Sequence, residues 1–198
     1  MVYSLRSTSL TTSIPFEPLR SPRLALRQIN RSDLADLMEI NGDPEVTRFL
    51  PYPVWNTEAD AEAWWERMEQ RESAGAARQL VIHHLAQNRV IGTALLFNFD
   101  QDSMRLEIGY ALGRAYWREG YAREALGALL LQLMGESAIR RVEAEVNPQN
   151  LASNALLVSL GFTLEGLRRE RWLSASGPYS VNVYGLLASE FHRPESIG

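Results

Sequence analysis

The sequence predicts an α+β fold, a mixed sheet of about seven strands flanked by about four helices. Three observations carry this expectation. Segments 23–29, 79–85, 89–99 and 104–112 read as strands. Segments 33–41 and 121–135 keep apolar residues at helical spacing instead. Consecutive strands joined by short turns are followed by strands separated by helices, so the sheet is part antiparallel and part parallel.

The elements follow in order. RLALRQI at 23–29 alternates apolar and polar residues, as a strand with one buried face does. Leu34, Leu37, Met38 and Ile40 then space a helix, with Ser32 or Asp33 placed to cap it. Residues 43–56 hold Pro44, Pro51 and Pro53 and read as a loop, rich in aromatics through Phe49, Tyr52 and Trp55. A helix from Thr57 to Ser73 ends before Gly75. Strands at 79–85 and 89–99 flank a short turn, and a third follows at 104–112. The helix at 121–135 carries Ala122, Ala125, Leu126, Leu129, Leu130 and Leu133 on one face. A strand at 141–146, a helix at 151–160 ended by Gly161, and strands at about 162–173 and 179–187 complete the order. Residues 21–191 read as one domain, between a flexible arm at 1–20 and a tail at 192–198.

Composition removes several chemistries. The 198 residues are 45% hydrophobic and 22% charged, which suits a globular core. Cys is 0, excluding thiol nucleophiles and Cys-type metal sites. All 20 basic residues are Arg, so neither a pyridoxal Schiff base nor a P-loop lysine is available. His83 and His84 are neighbours that a strand points to opposite faces, and His192 lies in the tail, so no metal site is expected. A net charge of −4 gives nucleic acid no electrostatic pull. No apolar run reaches the 18 or so residues of a membrane span.

WREGYA at 117–122 opens the apolar helix just after the strand ending at Leu112. Gly120 and Ala122 are small, so the N–H groups of residues 118–123 can be approached closely. Free N–H groups at a helix start bind phosphate or pyrophosphate, and Arg118 and Arg123 add charge. By itself this is also how an ordinary capped helix begins.

A second cluster, NPQNLASNALLVSLGF at 147–162, follows the next strand. With EIGYAL at 107–112 and W-x-x-G-Y-A, it resembles the GCN5-related N-acetyltransferase (GNAT) superfamily, most closely its RimJ/RimL-like branch, over residues 20–190. The resemblance implies a mostly antiparallel central sheet and an acetyl-CoA-dependent N-acetyltransferase of the cytoplasm, and it leaves a homodimer open. It implies that Trp117, Arg118, Glu119, Gly120, Tyr121, Ala122 and Arg123 hold the coenzyme A pyrophosphate. Tyr110, Ala111 and Leu112 would splay from the neighbouring strand and pair with the pantetheine arm, with Asn150 and Ser153 beside it. Asn150 reads equally as a cap of the helix at 151–160. Glu107 stands where relatives place a carboxylate base, and Ser153 where some place a hydroxyl near the leaving thiolate. Both also have plain readings, as a solvated carboxylate and a first-turn helix residue.

The acceptor expected is a primary amine, either a protein N-terminus or a small amine. Residues 31–75 hold 11 acids and 4 Arg, a net of 4 − 11 = −7, which suits a cation or simply a wet helical face. Glu66 and Glu69 share a face, and Trp64 and Trp65 cannot both be buried on one stripe. At pH 7.5 the neutral fraction of an α-amine exceeds that of a lysine by about two hundredfold, roughly 3 kcal/mol, so a modest base suffices for it. In the C-terminal hairpin, Ser180 stands where the branch usually has Asp. Lacking Cys and a G-x-S-x-G elbow, the chain is expected to transfer acyl groups directly. A catalytically idle acyl-coenzyme A sensor is the alternative, and a dinucleotide oxidoreductase lacks its G-x-G-x-x-G.

Overall fold

The computed structural model describes residues 14–174 and 177–191. Its strands are β1 (Leu19–Arg20), β2 (Leu24–Gln28), β3 (Ala77–His84), β4 (Arg89–Asp100), β5 (Arg105–Leu112), β6 (Arg141–Val146), β7 (Thr163–Ser174) and β8 (Gly177–Leu187). Its α-helices are α1 (Leu34–Asn41), α2 (Pro44–Thr47), α3 (Glu58–Ser73), α4 (Tyr121–Leu131) and α5 (Leu151–Ser159). The strands form one sheet in the order β1-β2-β3-β4-β5-β6-β8-β7. Every pairing is antiparallel except β5 with β6.

The sheet separates two apolar layers. On one face Ala125, Leu126, Leu129 and Leu130 of α4 are fully buried against Leu80, Ile82, Leu96, Leu106 and Ile108. On the other, Leu37 and Ile40 of α1 and Trp64 of α3 pack with Trp55, Val81 and Val90. Neighbouring strand residues point to opposite faces, so Leu106, Ile108 and Tyr110 join the first layer while Ala111 meets the second.

The structure corrects the sequence reading in places. Residues 14–20 are not a free arm: Ile14 and Phe16 are buried, and β1 pairs with β2. The rest of the arm, residues 1–13, and the tail with His192 lie outside the described residues. The loop read at 43–56 contains α2, because Asp43 accepts the Glu45 N–H at 2.8 Å and Pro44 takes the first helical position, where an N–H would go unmet. Asp33 stands at the N-cap position of α1 but makes no side-chain cap bond to it. Asn30 caps the preceding 3-10 turn, while the Asp33 carboxylate accepts both arms of Arg27 at 2.7 Å. The α-helical part of 121–135 stops at Leu131 and continues as one π turn, Gln132–Glu136. There Gln132 donates to the Glu17 carbonyl at 2.9 Å and accepts its N–H at 3.2 Å. No helix among the described residues is long and apolar enough to cross a membrane.

Leu126 is fully buried at the centre of the α4 layer. Leu126→Ala is expected to lower stability by about 2–5 kcal/mol, read by urea denaturation.

Candidate active site

Parallel pairing between β5 and β6 covers Arg105↔Arg141, Leu106↔Val142 and Glu107↔Glu143, then stops. Beyond it β5 stays paired to β4 as far as Leu112, and β6 stays paired to β8 as far as Val146. The two strands therefore part after Glu107 and leave backbone edges facing across a cleft. Tyr110, Ala111 and Leu112 lie on one side of it.

The cleft leads at the β5 end to the turn before α4. Gly113 and a 3-10 turn at Arg114–Tyr116 bring the chain round, and the Trp117 indole N–H donates to the Leu112 carbonyl at 2.7 Å. Arg118 and Gly120 are left-handed, at φ 66 and 78. Gly120 caps α4 without a side chain. Within α4 the first backbone bond back to the turn is Glu124 N–H to the Gly120 carbonyl, 3.0 Å. Among the described residues no protein acceptor meets the N–H groups of residues 118–123. Trp117, Arg118, Glu119, Gly120 and Arg123 are exposed, with Tyr121 and Ala122 half-buried. A row of unmet donors at the positive end of a helix can cradle an anion.

Glu107 stands at the apex where the strands part. Its carboxylate accepts the Asn98 amide at 3.0 Å. Burial pushes its pKa up; the Asn98 bond opposes this, Glu145 and Glu143 add to it, and Arg168 opposes it. Asn98 reaches Glu107 because β4 is irregular between Phe97 and Asp100, with Asn98 at φ 51. Sequence spacing gave no sign of that bulge.

Tyr110 and Ser153 meet on the opposite face of β5, their hydroxyls 2.7 Å apart. Burial pushes the Tyr110 phenol up to about 12, against the Ser153 hydrogen bond, so it keeps its proton near neutral pH. Asn150 takes the cap role: its Oδ1 accepts the Ser153 N–H at 3.2 Å. Asn154 adds a contact the sequence reading missed, its Oδ1 accepting from Asn182 at 2.8 Å and from the Tyr184 hydroxyl at 2.7 Å. This ties α5 to β8. The structure thus pairs Tyr110 with Ser153, sets Glu107 on the other face of β5 where β5 and β6 part, and places residues 117–123 beyond the Leu112 end of that strand.

Other expected features resolve structurally. His84 is buried; its Nδ1 accepts the Gln87 N–H, so its Nε2 carries the proton toward the Tyr121 hydroxyl at 3.0 Å. Among the described residues no cluster of His, Asp and Glu could hold a metal. Much of the acidic surplus in 31–75 meets arginines from elsewhere: Asp33 with Arg27, Asp36 and Glu39 with Arg89, Glu72 with Arg78 and Asp43 with Arg114. Glu66 and Glu69 line a groove with half-buried Trp65, whereas Trp64 packs 5.4 Å from Trp55. Ser180 accepts the Glu170 N–H at 3.2 Å and braces the β7–β8 hairpin. An opening of about 500 Å³ lies where Arg48, Phe49 and Leu50 face Asn147, Pro148 and Tyr179. The aromatic loop was its only trace in the sequence.

Residues 23–163 match the family described as acetyltransferase (GNAT) domain. The chain is 33% identical over 175 residues to the uncharacterized N-acetyltransferase p20 of Bacillus licheniformis, covering 88% of this chain and 98% of that protein. It is 25% identical to the [ribosomal protein uS5]-alanine N-acetyltransferase of Escherichia coli, covering 90% and 94%. The solved structure of RimL, a ribosomal L7/L12 alpha-N-protein acetyltransferase in complex with coenzyme A, superposes with a TM-score of 0.76 at 23% identity, covering 86% and 98%. The chain belongs to the GNAT acetyltransferase family, and acetyl-coenzyme A is its cosubstrate.

Proposed function

We propose that the protein transfers the acetyl group of acetyl-coenzyme A directly to a primary amine, a protein N-terminus or a small amine. The observation that carries this reading is the strand parting after Glu107 that ends at the unmet N–H groups of 118–123. The N–H groups of Arg118, Glu119, Gly120, Tyr121, Ala122 and Arg123 hold the diphosphate, with Trp117 closing the turn. The free edge of Tyr110, Ala111 and Leu112 bonds the pantetheine amides as an added strand would, with Asn150 and Ser153 on the far side. The acceptor enters by the opening beside Arg48–Leu50.

Glu107 and the Tyr110–Ser153 pair lie on opposite faces of β5, so base and acid reach the thioester from opposite sides. Glu107 takes the proton of the attacking amine as the N–C bond forms. Ser153, hydrogen-bonded to Tyr110, gives a proton to the sulfur as the C–S bond breaks. The similarity to the uS5-alanine acetyltransferase supports a protein α-amine, and the lower pKa of that amine suits a single carboxylate base. On this reading the enzyme works in the cytoplasm, where ribosomal proteins are made.

Screening the purified protein with acetyl-coenzyme A against N-terminal peptides, polyamines and aminoglycosides is expected to show thiol release with at least one. Coenzyme binding without release across that panel contradicts the reading. Glu107 must be ionised to act and its pKa is raised, so activity is expected to fall as pH drops through a value above the ordinary carboxylate range. Glu107→Gln should remove this limb and lower turnover by about 10²- to 10⁴-fold. Unchanged turnover and pH profile reassign Glu107 to structure.

Gly120 is open to solvent, and an added Cβ would meet only Arg23 Nη2, at 3.5 Å. Gly120→Val is expected to strain the left-handed turn by about 1–2 kcal/mol while covering the amides. Coenzyme A affinity should drop at least about tenfold with cooperative melting retained; affinity within twofold of wild type contradicts the cradle.

A further inference from the structure

Within itself the turn before α4 is held only at its ends among the described residues, by the bonds of Tyr116 and Trp117 on one side and of Glu124 to the Gly120 carbonyl on the other. Arg118 and Gly120 are both left-handed, a costly conformation for a residue with a side chain, and Gly120 offers no capping group. Such backbone persists where its surroundings over-determine it. Among the described residues one distant side chain bonds to this backbone, that of Arg23, at the start of the sheet.

Its contacts reach Glu119, Gly120 and Tyr121 in the turn and Glu124 just beyond it. Arg23 Nη1 donates to the Glu119 carbonyl at 3.0 Å, and Nε to Glu124 Oε2 at 2.6 Å. The Arg23 backbone N–H donates to Glu124 Oε1 at 2.8 Å. The guanidinium lies 4.2 Å from the centre of the Tyr121 ring, and Nη2 stands beside Gly120. Both supports are themselves fixed. The Arg23 carbonyl accepts the Leu85 N–H at 3.0 Å, and the Tyr121 hydroxyl sits on buried His84.

We propose that Arg23 is a positioning residue for the cosubstrate: its fork holds the 118–123 turn in the shape that turns its N–H groups outward to a diphosphate. This rests on the cradle reading above. The same contacts deal with an electrostatic conflict. Glu124 lies in the first turn of α4, where a free carboxylate would repel an incoming diphosphate. Arg23 and the Ser21 hydroxyl, 2.7 Å away, occupy both its oxygens. Burial works against the Glu124 charge, but these bonds outweigh it and hold the group below the usual carboxylate range. A lysine has one donor group where this site uses a planar fork and a ring stack, so the two are not equivalent here.

The test separates a role in presenting amides from a merely structural one. Wild type, Arg23→Met, Arg23→Lys and Gly120→Val are titrated with coenzyme A and with pantetheine, which lacks the diphosphate. Arg23→Met is expected to weaken coenzyme A binding about 10- to 100-fold and leave pantetheine binding within twofold, with Arg23→Lys intermediate. Coenzyme A affinity within twofold of wild type in Arg23→Met, or equal losses for both ligands, overturns the proposal. If Arg23→Met does not fold, Arg23→Lys decides on the same criterion. Loss in Gly120→Val with none in the Arg23 variants overturns the clamp alone; no loss in any variant overturns the cradle reading itself.

Discussion

Three residues of parallel pairing between β5 and β6 set the geometry of everything that follows. Strands held longer would close the sheet; strands never joined would leave no apex. Because pairing ends at Glu107, two backbone edges are left without partners inside a well-packed sheet. Buried backbone groups without partners are costly, so an unpaired edge in a sheet is either wet or reserved for a ligand. Here the chain on either side is fixed by other pairings, β4 with β5 and β6 with β8, so the cleft cannot collapse. The turn before α4 is alike in this, its N–H groups meeting no acceptor among the described residues.

The side chains at the cleft follow from the strand period. Residues 107 and 110 differ by an odd number and must face opposite sides of β5. One side meets the acidic β6 face, where Glu143 and Glu145 work with burial to keep the Glu107 proton on longer. The other meets α5, where Tyr110 and Ser153 share a hydrogen bond beneath the Asn150 cap. A carboxylate inclined to take a proton and a hydroxyl pair still protonated at neutral pH are thereby separated by one strand's thickness.

Local signals in the sequence recovered what is locally determined. The apolar stripe of 121–133 marks α4, the three hairpin-connected strands stand at 77–112, and the Gly120 turn falls where small residues precede that stripe. The rest depends on contacts across the chain. Two-residue β1 is a strand only because β2 lies beside it, and α2 is a single turn set by one Asp–Pro pair. Arg23 stands 96 residues from the carbonyl it holds, and Asn98 reaches Glu107 through a bulge that no periodicity announces. Ser153 was legible as a helix start, but its hydroxyl partner was not, because Tyr110 belongs to another strand face.

On the proposed function, unpaired backbone N–H groups, rather than a charged side chain, receive the diphosphate. Amide NMR of the protein titrated with coenzyme A measures this most directly. Resonances of Arg118–Arg123 are expected to move downfield with coenzyme A and stay in place with pantetheine. Saturating coenzyme A that leaves those resonances unmoved would contradict the account.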